Sequence, residues 1–190
     1  MKLFDKIIIS SDSTKILRLL DKYKKFSICE PFLRSKKLGD DLIGTRAVII
    51  DVLKKNNLNK KCNIFCIYPT SIFLKKKYIN QSLKLIKNKK TDYVFSAKMV
   101  DRNLLRSFTY NKKKVALLFK QNYKKRTQDL NKIYVDAAQF YLAKCYNWLK
   151  SDKIFSPKSS IIEIGKYDSI DIDEIGDWLF AEKLYRIINK

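Results

Sequence analysis

The sequence holds no histidine, four glycines, three prolines and four cysteines in 190 residues. No imidazole is available as a general base or as a metal ligand. The thiols do not fill that gap. Cys29, Cys62, Cys66 and Cys145 lie in apolar surroundings, and Cys62-x3-Cys66 has no third or fourth ligand nearby, so zinc lacks a donor set. No apolar run reaches transmembrane length, and no signal peptide with a small-residue cleavage site is present. The expectation is therefore a reduced, cytoplasmic protein with no membrane association. Internal repeats and low-complexity linkers are also missing. Acidic residues are few, 19 against 41 basic, for a net charge of +22. Such a charge raises nucleic acid as a partner. The lysines are spread along the chain in short runs, however, and a solvated basic surface without specific nucleic-acid binding is the preferred reading.

What is present is enough apolar material, 46% of residues, for one domain with a core over residues 1–190. The stretch that organises the chain is Tyr167-Asp-Ser-Ile-Asp-Ile-Asp-Glu-Ile-Gly-Asp-Trp178. Asp171 and Asp173 alternate with Ile170 and Ile172, which puts both carboxylates on one side of an extended segment and the isoleucines on the core side. Ile175, Trp178, Leu179, Leu184, Ile187 and Ile188 then recur at helical spacing. Two convergent carboxylates entering a helix suit a hard cation such as magnesium, whose remaining ligands come from phosphate and water. A second reading has Asp173 capping the helix, with Asp177 favourable in its first turn. A third, a calcium loop with Asp171, Asp173, Gly176 and Glu182 at positions one, three, six and twelve, fails at position five, where Ile175 has no side-chain oxygen.

Along the chain, Phe4–Ser10 predicts a buried strand and Ser11–Leu20 a helix capped by Ser11 or Asp12. Lys25–Cys29 is a short strand candidate, followed by a polar loop entered through Pro31–Arg34. Gly44-Thr45 opens a helix to about Asn56, with Ala47, Val48, Ile50, Val52 and Leu53 on its core side. Cys62–Tyr68 is nearly continuously apolar, the pattern of a central parallel strand. Helix Lys75–Asn88 follows, with Tyr78, Ile79, Leu83 and Ile86 on one face, and then strand Asp92–Ser96. Strands alternating with helices give an α/β fold with a mainly parallel sheet. Ligands then gather beyond the strands' carboxyl ends, where Thr45, Tyr68-Pro69-Thr70 and the 171/173 carboxylates can meet. Between residues 98 and 125, two apolar segments flank Asn111-Lys-Lys-Lys114, the pattern of a hairpin excursion. Asn147–Lys150 and Phe155–Lys158 read as connections.

Several segments together resemble the cytidylyltransferases that activate nonulosonic acids. The carriers are Ile7–Asp12, Pro31–Arg34 with Leu38, Asp41 and Thr45, Ile67–Ser71, Arg126-Thr-Gln-Asp-Leu130, Asp136-Ala-Ala-Gln-Phe-Tyr141 and Asp171–Asp177. The Arg126–Leu130 and Asp136–Tyr141 pair resembles the branch that uses pseudaminic acid. The resemblance implies a Rossmann-like nucleotide-diphospho-sugar transferase fold, a homodimer formed through the 98–125 excursion, and dependence on Mg2+. It implies transfer of CMP from CTP to an acidic nonulosonic sugar, with release of pyrophosphate. On the same match, Asp171 and Asp173 hold the metal and are the catalytic pair. Arg34, Thr45, Tyr68 and Thr70 line the nucleotide side, and Arg126, Gln128, Asp136, Gln139, Phe140 and Tyr141 the sugar side.

The sequence also departs from that pattern. The family opens with a strand and a Gly-rich basic loop that cradles the triphosphate. This sequence begins at what matches the second strand, so weak CTP binding and low or absent activity are expected of it. Ser35 stands where the family usually has proline, Ile72 where proline is common, and Ala138 where glycine is common, a methyl expected to crowd the sugar pocket. Sialic or legionaminic acid is the alternative acceptor, and a non-catalytic basic interaction protein is the alternative from another class.

Overall fold

A computed structural model describes residues 3–23, 29–40, 42–59, 61–150 and 153–188. It divides into two compact units, residues 1–64 with 144–154 and residues 65–143 with 155–190.

The first unit begins with the apolar strand β1 (Ile7–Ser11), which pairs in parallel with β2 (Cys29–Leu33) from Ile7↔Cys29 to Ser11↔Leu33. Parallel neighbours need a crossover, and it contains α1 (Thr14–Arg18) followed by a 3-10 turn, Leu19–Tyr23. The helix starts later than the sequence suggested. Ser13, not Ser11 or Asp12, caps it, its Oγ accepting the Ile16 N–H at 3.4 Å. Ser11 Oγ instead accepts the Ser13 N–H and shapes the turn before the cap. Of the strand candidate at Lys25–Cys29, residues 25–28 lie outside the described residues, and the observed strand runs on through Pro31–Leu33, the segment that leads into the polar loop.

Helix α2 (Thr45–Lys55) buries Ile49 and Leu53, one turn apart. It packs on α4 (Cys145–Lys150), a helix where the sequence suggested only a connection from Asn147 to Lys150. The physical reason is tertiary. Arg46 Nε and Nη2 each donate at 2.9 Å to the carbonyls of Trp148 and Leu149, satisfying the open end of a helix too short to hold itself.

The second unit is built on a four-stranded sheet of order β3 (Asn63–Ile67), β7 (Ile133–Lys144), β4 (Tyr93–Val100), β8 (Ser159–Glu163). β4 runs parallel to β8 and antiparallel to β7. β3, expected to be central, stands at the end of the described sheet. The central strands are β4, buried from Tyr93 through Ala97, and β7. Helix α3 (Lys76–Leu85) lays Tyr78 and the following Ile86 on this sheet, with Leu83 partly buried, as its periodicity requires. The core there joins Val94, Phe140, Leu142, Ile162 and Ile164 to them. Each fully buried large apolar side chain contributes about 1.5–3 kcal/mol of transfer free energy.

The excursion forms as expected, with β5 (Phe108–Asn111) and β6 (Lys114–Leu117) paired antiparallel about Lys112 and Lys113. Both turn residues take positive φ, 47° and 62°, the geometry that matches hairpin twist. α5 (Ile175–Ile188) also forms where expected, but Ala181 is its buried residue, while Ile175, Trp178, Leu179, Ile187 and Ile188 are exposed.

Candidate active site

The site candidates of the second unit centre on an irregularity in the sheet. Tyr141 lies opposite Phe95 and Asp136 lies opposite Ala97, so residues 137–140 of β7 all face the single residue Ser96 of β4. A bulge of this kind breaks the ladder and re-aims side chains. Ser96, fully buried, replaces the lost ladder bonds: its Oγ accepts the N–H groups of Gln139 and Phe140 at 3.1 and 3.2 Å. Ala138 sits in the left-handed region at φ 48°. That conformation favours glycine over the alanine that stands here.

Asp136 braces the bulge. Its Oδ1 accepts the Ala138 N–H at 3.0 Å and its Oδ2 accepts the Tyr141 hydroxyl. Burial, followed by the Asp136 carboxylate, pushes the Tyr141 phenol well above its ordinary range, so it remains a donor. Tyr68 sets its ring edge-on to Tyr141, centroids 5.6 Å apart. The Tyr68 N–H and Ser71 Oγ both donate to Gln139 O, at 3.0 and 2.8 Å. Thr70 lies between them in the same turn, with its carbonyl accepting the Ile72 N–H at 2.8 Å. Tyr68, Thr70, Asp136, Gln139 and Tyr141 are thus brought together. Phe140 is a correction: it is 0% exposed in the core, its ring 4.9 Å from Phe65, because the bulge turns it inward.

The bulge is tied to the carboxylate segment by a residue that sequence reasoning missed. Gln139 Nε2 donates to the backbone carbonyl of Asp168 at 2.5 Å. The buried Asp168 carboxylate accepts the Tyr78 hydroxyl at 2.6 Å and pairs with Lys75 Nζ at 2.6 Å. Tyr78 Oη also accepts the Gly165 N–H at 3.1 Å. Burial alone would raise the Asp168 pKa, but the hydrogen bonds from Lys75 and Tyr78 outweigh it and hold the carboxyl below its ordinary value. In the sequence, Tyr78 reads only as a core residue of α3. The sole hint was Asp168's place three residues before Asp171.

Beyond Asp168 the expected alternation is present, with Ile170 and Ile172 half-buried and Asp171 and Asp173 exposed. Asp173 does not cap α5. Asp177 does, its Oδ2 accepting the N–H groups of Asp173 and Glu174 at 3.1 and 3.0 Å. A third-position carboxylate reaching back is half of a capping box. The Asp171 and Asp173 carboxylates lie on the exposed side of their segment, and no cluster of three or more acidic, cysteine or histidine ligands exists among the described residues. Two carboxylates with no third protein ligand suit a cation that draws its other oxygens from phosphate and water.

The remaining candidates are described by their own contacts. Arg126 pairs with Asp129 at 3.0 Å and Gln128 O accepts Arg102 Nη1 at 2.9 Å, binding that turn to the 101–103 segment. In the first unit, Arg34 sits at the carboxyl end of the β1–β2 pair, its Nη1 donating to Ser10 O and its Nη2 to Asp12 Oδ1, both at 3.2 Å. A Cβ at Gly39 would lie 2.8 Å from Asp12 Oδ2, so a side chain there would displace the carboxylate that Arg34 holds. Thr45 is the first residue of α2. A surface hollow of about 430 Å³ lined by Gln81, Lys84, Leu85, Ile161, Ile162 and Glu163 contains none of these residues.

A mixed α/β sheet with a bulged strand beside a paired-carboxylate loop is the framework of a nucleotidyltransferase. The chain belongs to the cytidylyltransferase family: the model of the family described as Cytidylyltransferase matches residues 1–176. It is 32% identical over 189 residues to the pseudaminic acid cytidylyltransferase of Campylobacter jejuni subsp. jejuni serotype O:2, covering 97% of this chain and 80% of that one. The serotype O:23/36 protein of the same name matches equally, at 32% over 189 residues. A Helicobacter pylori protein named as pseudaminic acid cytidylyltransferase and UDP-2,4-diacetamido-2,4,6-trideoxy-beta-L-altropyranose hydrolase is 32% identical over 172 residues, 90% of this chain and 32% of that one.

Proposed function

We propose that this chain transfers CMP from CTP to pseudaminic acid and releases pyrophosphate. The observation that carries the reading is the Gln139–Asp168 hydrogen bond, which joins the bulge bearing the acceptor-side motif to the loop bearing Asp171 and Asp173. The anomeric hydroxyl of the sugar attacks the α-phosphate in line as pyrophosphate leaves. Asp171 and Asp173 would hold Mg2+, which neutralises charge on the phosphates. Tyr68 and Thr70 serve the nucleotide. Gln139, Tyr141 and Asp136 keep the bulge beside the sugar in shape, and Arg126, next to Gln128, meets the sugar carboxylate through its guanidinium fork.

A homodimer through the β5–β6 arm is part of the reading. Its support is the exposure of Phe108, Tyr110, Val115 and Leu118 along that arm. Four free thiols suit a reducing compartment such as the cytoplasm. No helix among the described residues is long and apolar enough to cross a membrane.

The test is pyrophosphate release from CTP, Mg2+ and pseudaminic acid, with sialic and legionaminic acids as competitors. Turnover that is lost in Asp171→Asn is the expected result. Silence with every nonulosonic acid would sink the reading.

A further inference from the structure

Gln139 is held by its backbone on three sides: two donors to its carbonyl, and Ser96 Oγ on its N–H. Among the described residues its side chain makes one hydrogen bond, Nε2 to the Asp168 carbonyl. A primary amide has a donor end and an acceptor end. Facing a carbonyl at this distance, only the donor end fits, because a flipped amide would set two oxygens against each other. Oε1 is therefore committed to the other direction, where it is buried and accepts nothing among the described residues. The amide is thus held in a single orientation by the Asp168 carbonyl.

The carbonyl that fixes the amide is itself fixed by the Asp168 side chain. Lys75 at the start of α3 and Tyr78 in its first turn grip both carboxylate oxygens, and the Asp168 N–H closes a turn onto Gly165 O at 2.9 Å. We propose that Asp168 is a positioning residue: clamped by Lys75 and Tyr78, it holds its backbone carbonyl against the Gln139 amide and so fixes the bulge that carries the sugar-side motif. The sugar's place beside that bulge rests on the cytidylyltransferase reading, whereas the clamp rests on the geometry alone.

The consequence is a division of labour. Loosening the clamp lets the amide rotate, weakens the sugar and leaves CTP untouched. The experiment measures KM for sugar and for CTP in the full chain, in Lys75→Met, Tyr78→Phe, Asp168→Asn and Lys75→Arg. Lys75 is exposed, so its variants keep the fold even where Asp168→Asn does not. The expected result is a rise of about tenfold in sugar KM for Lys75→Met and Tyr78→Phe, a CTP KM within about twofold, and recovery in Lys75→Arg. Equal changes in both constants, or none, overturn the proposal. The clamp is also read without turnover, from the NMR signals of the Gln139 side-chain amide, assigned by their loss in Gln139→Glu. Two protected, well-separated protons that collapse in Tyr78→Phe support it, and unchanged signals refute it. If the wild-type chain is inactive with every sugar, the functional reading fails and these signals still decide the clamp.

Discussion

Ser96 Oγ stands 3.1 Å from the Gln139 amide nitrogen and takes that N–H in place of a backbone carbonyl. It serves Phe140 in the same way, so one hydroxyl closes a gap that four residues of β7 open. Ser96→Ala leaves two buried N–H groups without acceptors. At about 1–3 kcal/mol for each unsatisfied group, the expected loss is roughly 2–6 kcal/mol. Thermal denaturation should show a fall in Tm on the order of 10 °C. A change under about 2 °C would mean that water or a shifted strand takes over the role.

Ala138 offers the opposite outcome. At φ 48° its methyl is held in the left-handed region, which costs an L-residue about 1–2 kcal/mol. Ala138→Gly removes that cost and adds chain entropy to the unfolded state. The net expectation is a stabilisation of about 0.5–1 kcal/mol, read as a raised denaturant midpoint with an unchanged slope.

The Asp168 clamp makes stability depend on pH. Its carboxyl lies below the ordinary value of 3.8 in the folded chain. The unfolded chain therefore binds the proton first as pH falls, and the contribution is complete above that value. It is lost as pH drops through the folded pKa. Tm followed from pH 6 to pH 2.5 should show a constant gap between wild type and Asp168→Asn above about pH 5, narrowing below about pH 4. A gap of constant size throughout would contradict the direction of the shift.

Three neighbouring carboxylates should separate by role. Asp177→Ala removes the acceptor for two backbone N–H groups at the start of α5 and should cost about 1 kcal/mol of stability. Its Mg2+ dependence should match that of wild type. Asp171→Asn and Asp173→Asn should leave Tm almost unchanged and lower turnover by about a hundredfold or more, equivalent to about 2.7 kcal/mol of barrier. Mg2+ titration of the three variants is the measurement, and Asp173→Asn behaving like Asp177→Ala would overturn the assignment.

Burial pushes the Cys66 thiol up to about 11. At pH 8 it is about 0.1% thiolate, against roughly a quarter for a free thiol. Alkylation with iodoacetamide, followed by peptide mass mapping, should label Cys66 more slowly than a cysteine peptide by about two orders of magnitude, and the deficit should vanish in denaturant.

Much of the framework was legible along the chain. Periodicity located α2, α3 and α5. Alternation placed Asp171 and Asp173 outward of Ile170 and Ile172, and the lysine-rich turn announced β5 and β6. Each of these is a local property, fixed by residues within a few positions of one another. α4 was not legible, because its carbonyls are completed by Arg46, about a hundred residues earlier. Nor was the edge position of β3, since an apolar run reports burial and not strand order.

The sequence by itself determined the α/β class, the carboxylate pair and, through motifs in order, the family. Only the tertiary structure decided what those motifs do. It drew Phe140 into the core, turned Asp136 into a brace, gave the helix cap to Asp177 and bound Gln139 to Asp168. The reason is the same each time. A residue's chemistry is set by its type, but whether its polar atoms meet a ligand or another part of the chain depends on partners far away in sequence, and those are chosen by how the sheet packs.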